Sequence, residues 1–367
     1  MTTAILVGNI GFGGVLRQRQ QHPLRRLGFR TTAAEFFFPA PGRIAPGKQL
    51  PGTGRLTLRV SSVASVVETK PRDPVTVDEG LPAKENILAC PVCYQRLTLI
   101  GPPISVITTK GSSLQCDTCQ KTYLGNDTHV ELIAASGLKE YTESTSMTTE
   151  FFKFPLISYV YERGWRQGFS AVIGFPGPEQ EFEMMKEYLQ PVLGGNIIDA
   201  SCGSGQFTRI FAKSGLFSQV IALDYSENML KECYEFIQKE EGCPKENVSI
   251  VQADISRLPF ATGSIDAVHA GAAIHCWPSP SAGVAEVSRV LRPGGVFIAT
   301  TGLALADGGN LLLPLVKPFR ASMYQITGSH IFVSDGELED LCRSCGLIVV
   351  KCVRNRRFVM VAARKPT

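Results

Sequence analysis

The sequence has no uninterrupted apolar run of membrane-spanning length, although 44% of its 367 residues are hydrophobic. A spanning helix needs about 20 consecutive apolar residues, so no transmembrane helix is expected. Acidic residues are almost missing from the first sixty positions, where Glu35 stands alone against nine Arg or Lys. That stretch also lacks an apolar core followed by a small-residue cleavage site, which argues against a secretory signal. No internal repeat is visible, so a repeat architecture is not expected. A dispersed disulfide framework is missing too. Of eleven cysteines, four fall in two close pairs and most others stand singly in periodic segments. This pattern reads as one metal site in a reducing compartment.

What is present begins with an Arg-rich leader. QHPLRRLGFRTTAAEFFFPAPGR is punctuated by Gly, Pro and Thr, and RVSSVASVVE follows at 59–68. Composition of this kind marks an organelle-targeting peptide, shared by plastid and mitochondrial leaders. The Ser/Val stretch points to a plastid, with residues 1–65 as transit peptide. The first sixty residues hold nine of 37 basic but one of 33 acidic residues, leaving 28 against 32 for the remainder. The formal charge of +4 therefore belongs to the leader, and the working protein is acidic. Residues 66–84 read as a linker, 85–135 as a short cysteine-paired ribbon and 136–367 as the main folded domain.

In the ribbon, Cys90-x-x-Cys93 and Cys116-x-x-Cys119 form two knuckles. Each tight turn offers two thiolates, and two such turns make a tetrahedral four-sulfur site that suits zinc. With every ligand from protein, the zinc is structural, which a unit of this size needs because it buries little core. Cys342-x-x-Cys345 reads differently: with Leu338 and Leu341 it falls at helical spacing before Gly346, and core packing explains it.

From about residue 150, apolar β-type runs alternate with helical patterns: NIIDAS, QFTRIFAKSG, QVIALDYS, ENMLKECYEFIQKEEG. Alternation predicts an α/β fold with a parallel sheet covered on both faces. The most informative stretch is NIIDASCGSGQFTRIF. A strand ends at Asp199, a small-residue turn spans Ser201 to Gly205, and a helix starts near Gln206. Such a turn lets backbone approach a ligand at an electropositive helix start. The next strand ends in Asp224, about twenty residues on, placed for the ribose hydroxyls of an adenosine. A third strand ends in Asp254. The loop alone would suit several nucleotides.

IIDASCGSG, VIALDYSENML, VQADISRLPF, IDAVHAG and EVSRVLRPGGVFIAT together resemble the type-11 group of class I S-adenosylmethionine-dependent methyltransferases. The resemblance implies a seven-stranded Rossmann-like sheet closed by the antiparallel hairpin LIVVKCVRNRRFVMVAARK. It also implies site roles. Asp199, Ser201, Gly203 and Gly205 form the loop at the methionine portion of the cofactor. Asp224 with Tyr225 meets the ribose, and Asp254 with Ile255 meets the adenine. Ala270 and Gly271 flank the methionine portion. Ser201 departs from the pattern by replacing the first loop glycine. The ribbon resembles that of bacterial large-subunit rRNA guanine methyltransferases. The order leader, ribbon, catalytic domain is similar to that of plant plastid methyltransferases associated with plastoglobules, which implies peripheral contact with such a surface.

On the acceptor side, His275 in AAIHCWPSP is the candidate general base, although a packing role fits it equally. His269 reads as core. Neither an NPPY-type motif nor a Pro-Cys nucleophile is found, which argues against amino-nitrogen and cytosine-carbon chemistry. Residues 151–169 and 303–328 are expected to cover the pocket. Residues 84–135 balance Lys84, Arg96, Lys110 and Lys121 against Glu85, Asp117, Asp127 and Glu131, which disfavours RNA docking. The basic trio Arg354, Arg356 and Arg357 falls at a hairpin turn. The favoured acceptor is a small lipophilic molecule such as a quinone or phenolic lipid. An rRNA or tRNA base methyltransferase and a silent partner-docking protein are the alternatives.

Overall fold

The computed structural model describes residues 87–106, 109–137, 174–304, 324 and 328–367. The leader, the linker and both expected covering segments lie wholly or mostly outside the described residues. All described residues belong to one compact unit, Val77–Thr367.

Two antiparallel ladders open the unit: β1 (Thr98–Ile100) pairs with β2 (Ser113–Gln115), and β2 with β3 (Thr122–Leu124). A two-residue strand, β4 (Val130–Glu131), follows. The α/β part then runs α1 (Pro178–Leu189), β5 (Asn196–Ala200), α2 (Gln206–Ser214), β6 (Gln219–Asp224), α3 (Glu227–Lys239), β7 (Val248–Gln252), β8 (Ile265–Ala270), α4 (Pro280–Val290), β9 (Leu291–Gly302), α5 (Asp335–Ser344), β10 (Ile348–Asn355) and β11 (Phe358–Arg364). Local chemistry sets these boundaries. Ser226 caps α3 by accepting from the Met229 amide, and Ser279 caps α4 through the Ala282 amide ahead of Pro280. Gly215, in the left-handed region, ends α2. Met229, Leu230, Cys233 and Ile237 form the buried stripe of α3.

The main sheet has the order β10-β11-β9-β8-β5-β6-β7-β4. Strands β5 to β9 are parallel; β11 pairs antiparallel with β9, and β10 pairs antiparallel with β11 at the sheet's far edge. The seven expected strands are therefore joined by an eighth. β4, from the segment read as a separate ribbon, pairs parallel with β7 (Val130 to Val251, Glu131 to Gln252). An open β7 edge would be a template for unwanted pairing, and β4 covers it. The RPGG segment lies inside β9, where Gly294 takes φ 77° and the register shifts between Ile265 and Ala267 of β8.

Alternate residues of the strands feed two cores, as expected for a sheet buried on both faces. Ile197, Val220, Ile250 and Ala267 pack with α1, α2 and α3. Ile198, Ile221, Val251 and Val268 pack on the other face with Val287 of α4 and Leu338 and Cys342 of α5. Leu88, Cys90, Leu114, Tyr123 and Leu132 of the four-cysteine unit belong to that second core.

Arg289 of α4 joins these parts. Its guanidinium donates to the Leu258 and Phe260 carbonyls at 2.8 Å each and pairs with Glu286, which also accepts from the Leu258 amide. The segment so held receives the four-cysteine unit, as Ala89 N donates to Pro259 O and Ala261 N to Ile87 O. Arg289 and Glu286 are only 19% and 12% exposed, so removing one partner strands a mostly desolvated charge. Arg289→Met is expected to lower unfolding free energy by roughly 3 kcal/mol. Urea unfolding should show a lower midpoint with an unchanged m-value.

Candidate functional site

The carboxyl ends of five parallel strands share one edge of the sheet, the usual location of ligand sites in open α/β sheets. Asp199 lies one residue before the end of β5, and Asp224 ends β6. Asp254 follows β7, Ala270 ends β8, and Thr300 and Thr301 lie near the end of β9.

The turn between β5 and α2 is built for close approach. Ser201, Gly203 and Gly205 all have positive φ, at 58°, 55° and 79°. Glycine adopts this region freely, whereas serine is strained there by about 1 kcal/mol. Ser201 gains something a glycine would lack: its hydroxyl accepts from Trp277 Nε1 at 3.0 Å, and Trp277 is 2% exposed. That bond satisfies a buried indole, so the departure from the glycine pattern is a structural exchange. A Cβ on Gly205 would meet Cys233 Sγ at 2.4 Å, so α3 itself enforces that glycine.

Asp224 ties the turn to the second strand. One carboxylate oxygen accepts from Gly203 N and the other from Ser226 N, each at 2.9 Å. Burial raises its pKa, while the backbone donors at Ser226, Gly203 and Tyr225 work against the rise. The Tyr225 carbonyl accepts from Gln252. Asp254 caps the short turn Ile255–Arg257 by accepting from Ser256 N at 2.8 Å. Ile255 is 6% exposed, and a Cβ on Gly283 would stand 3.3 Å from it.

Asp199 faces inward. It accepts from Thr208 Oγ1 at 2.7 Å and lies 2.9 Å from His269 Nδ1, with Asp199 2% and His269 1% exposed. His269 packs against Phe207 and Phe211, so its sequence reading as core holds. Ala270 is fully buried, and a Cβ on Gly271 would collide with His269 and Phe207. Among the described residues, two buried side-chain polar atoms lack a partner: His269 Nε2 and Gln206 Oε1. Both belong to elements that flank the 201–205 turn, as a site for a polar ligand would require.

His275 sits in the short turn Ile274–Cys276 that follows β8. Its Nδ1 lies 2.9 Å from Thr301 Oγ1, and its carbonyl accepts from His330 N. Burial drives its pKa down to about 4. Sequence reasoning did not foresee Thr301, Trp277 or His330; the Trp277–Ser201 contact spans 76 positions and leaves no local pattern.

The four cysteines converge as spaced. Their Sγ atoms all lie within 4.8 Å of one another, with Cys90 and Cys119 at 3.5 Å and Cys93 and Cys116 at 3.4 Å. A tetrahedral zinc–thiolate site needs edges of about 3.8 Å, so the cluster could hold zinc. The two knuckles match: Tyr94 N donates to Cys90 O and Gln120 N to Cys116 O, with φ of 60° at Tyr94 and 57° at Gln120.

Comparison with known proteins agrees with this geometry. Residues 198–299 match the methyltransferase domain family model. Two Arabidopsis thaliana proteins, each named an uncharacterized chloroplastic methyltransferase, are similar to the chain. One is 57% identical over 287 residues (77% of this chain, 80% of the relative), and the other 46% over 283 (77% and 78%). A demethylmenaquinone methyltransferase of Lactococcus lactis is 30% identical over 197 residues, covering 50% of this chain and 77% of its own. The chain belongs to the S-adenosylmethionine-dependent methyltransferases.

Removing the Asp224 carboxylate leaves Gly203 N and Ser226 N without acceptors and deletes the expected ribose ligand. Asp224→Ala is expected to weaken S-adenosylmethionine binding more than tenfold by calorimetry, since a charged hydrogen bond contributes about 1.5–3 kcal/mol. Because burial raises the Asp224 pKa, wild-type affinity should fall on acidification before the ordinary aspartate range is reached.

Proposed function

We propose that the protein transfers a methyl group to a small lipophilic acceptor bearing a phenol-type hydroxyl, and that it acts in the chloroplast. The observation that carries this reading is His275, fixed at the active edge by Thr301 and kept neutral by burial. The chloroplast assignment rests on the Arg-rich leader at 1–65 and on the two relatives named chloroplastic. The acceptor class rests on the demethylmenaquinone methyltransferase similarity and on the charge balance of the four-cysteine unit. In this reading residues 85–135 hold a structural zinc through Cys90, Cys93, Cys116 and Cys119, and 136–367 form the catalytic domain.

S-adenosylmethionine supplies an electrophilic methyl on a sulfonium, so the protein's task is alignment and proton removal. The turn at Ser201, Gly203 and Gly205 takes the methionine portion, with Ala270 and Gly271 alongside. Asp224 and Tyr225 take the ribose, and Asp254 and the Ile255 backbone take the adenine. A tautomer with its proton on Nδ1, donated to Thr301, leaves His275 Nε2 as acceptor. No described residue hydrogen-bonds Nε2. As the methyl is transferred, the acceptor hydroxyl proton passes to Nε2, raising the nucleophilicity of both the oxygen and the ring carbon beside it.

Purified protein with labelled cofactor should methylate a phenolic or hydroquinone lipid fraction and not plastid RNA. Label found mainly in RNA, and lost in Asp224→Ala, would refute the acceptor class. His275→Gln is expected to lower kcat about a hundredfold, within the usual range for a general base, with cofactor affinity unchanged. A base with pKa about 4 is already neutral above pH 5, so the wild-type acid limb should fall near pH 4 and vanish in the variant. Metal analysis should find one zinc per chain, released by Cys90→Ser.

A further inference from the structure

The segment that carries Asp254 and Ile255 is gripped from outside the parallel strands. Arg257, the last residue of that turn, donates from Nε to Pro91 O at 2.5 Å and from a terminal nitrogen to Val92 O at 2.7 Å. Pro91 and Val92 are the two residues between Cys90 and Cys93, so both acceptors sit inside one knuckle. Val92 N in turn points at Cys90 Sγ, 3.4 Å away. Tyr94, just past the knuckle, lies under two guanidinium groups, Arg289 at 4.2 Å and Arg257 at 5.2 Å from its ring centre. Its backbone holds a φ of 60°, which glycine adopts freely and tyrosine does not. The ring is what glycine would lack at this position.

A second grip reaches the ribose side. His129, 1% exposed beside β4, has Nε2 at 3.3 Å from Gln252 Oε1, and Gln252 Nε2 donates to the Tyr225 carbonyl at 3.0 Å. Ala253 N donates to Asp224 O. The four-cysteine unit thus touches the turn behind Asp254 directly and reaches the loop behind Asp224 through Gln252, yet supplies none of the residues expected to meet the cofactor.

We propose that metal occupancy of the four-cysteine cluster sets the affinity for S-adenosylmethionine, with Arg257 as the positioning residue that links them. The inference rests on the reading of Asp254 and Ile255 as adenine contacts and of zinc as the metal. A metal ties the 90–93 knuckle to the 116–119 knuckle and fixes the carbonyls of Pro91 and Val92. Without it, no metal bond joins the two knuckles, and the 91–92 turn loosens although Leu88, Leu114 and Tyr123 stay in the core. Arg257 then loses two fixed acceptors, and the Asp254–Arg257 turn must be ordered at the expense of cofactor binding. Linkage makes the effect reciprocal: bound cofactor must hold the metal more tightly by the same factor.

The test uses the full chain loaded with zinc. Calorimetric cofactor affinity is measured for the loaded protein, for protein stripped by a chelator, and for Arg257→Met in both states. Zinc extraction by the chelator is measured on wild type with and without saturating S-adenosylmethionine. Stripping should weaken cofactor binding about fivefold or more, within the usual span of coupling between sites. Arg257→Met should show a similar loss while keeping its zinc, and stripping it should add little, because both changes break one link. Cofactor should raise zinc retention in wild type by the factor seen in the affinity. Equal affinity with and without zinc overturns the proposal. So does zinc extraction that ignores the cofactor, a measurement that needs no variant and no stable metal-free protein. Asp254→Asn separates the two readings. If it leaves affinity unchanged, the adenine assignment fails and this inference with it. If it weakens binding while zinc removal does not, the coupling alone is wrong.

Discussion

The guanidinium of Arg289 is the interaction on which the other parts depend. It holds the Leu258 and Phe260 carbonyls, pairs with Glu286, and lies over Tyr94. The 258–260 segment runs from the turn behind Asp254 to the start of β8, and on its outer side it receives Leu88 in a β-bridge with Phe260. One side chain therefore sets the spacing between α4, the Asp254–Arg257 turn and the four-cysteine unit. A lysine has the charge but not the fork, and could not meet two carbonyls and a carboxylate together.

That segment shows why one carboxylate edge can carry unlike tasks. Asp199 is sunk beneath the turn and spent on Thr208 and His269. Asp224 spends its oxygens on backbone amides that shape the loop and the start of α3. Asp254 spends one oxygen on its own turn. Depth within the sheet, not residue type, separates the fully buried Asp199 from the more accessible Asp224 and Asp254. His275 and His269 divide in the same way, one beside a threonine at the rim and the other between phenylalanines.

Much of this was legible in the sequence, for local reasons. The strand-turn-helix at 196–214 is written by apolar period and by small residues at positive φ. The cysteine spacing wrote the knuckles, and the Leu338–Cys342 period wrote a packed helix with Gly346 beyond it at φ 81°. What escaped were contacts between positions far apart. The Arg257 to Pro91 bond spans 166 positions and the His129 to Gln252 contact 123. Neither arginine nor histidine announces a distant backbone partner. Residues 85–135 read as an independent module because their charge and cysteines are self-contained. Only the structure reveals that two of them, Val130 and Glu131, form an edge strand of the main sheet. Arg289 lies within the EVSRVLRPGG stretch that carries the resemblance, but its contact with Tyr94 depends on where the first knuckle docks.

The pairing of β4 with β7 also has a consequence for the order in which the chain can fold. β4 lies more than a hundred residues ahead of the strand it pairs with, and the contact contributes nothing until β5, β6 and β7 have assembled. Closing so long a loop is entropically slow to be repaid. The knuckles, whose cysteines lie 23 to 29 positions apart, close over a much shorter span. The knuckles can thus close before the β7 edge exists, and β4 covers that edge once the sheet has formed.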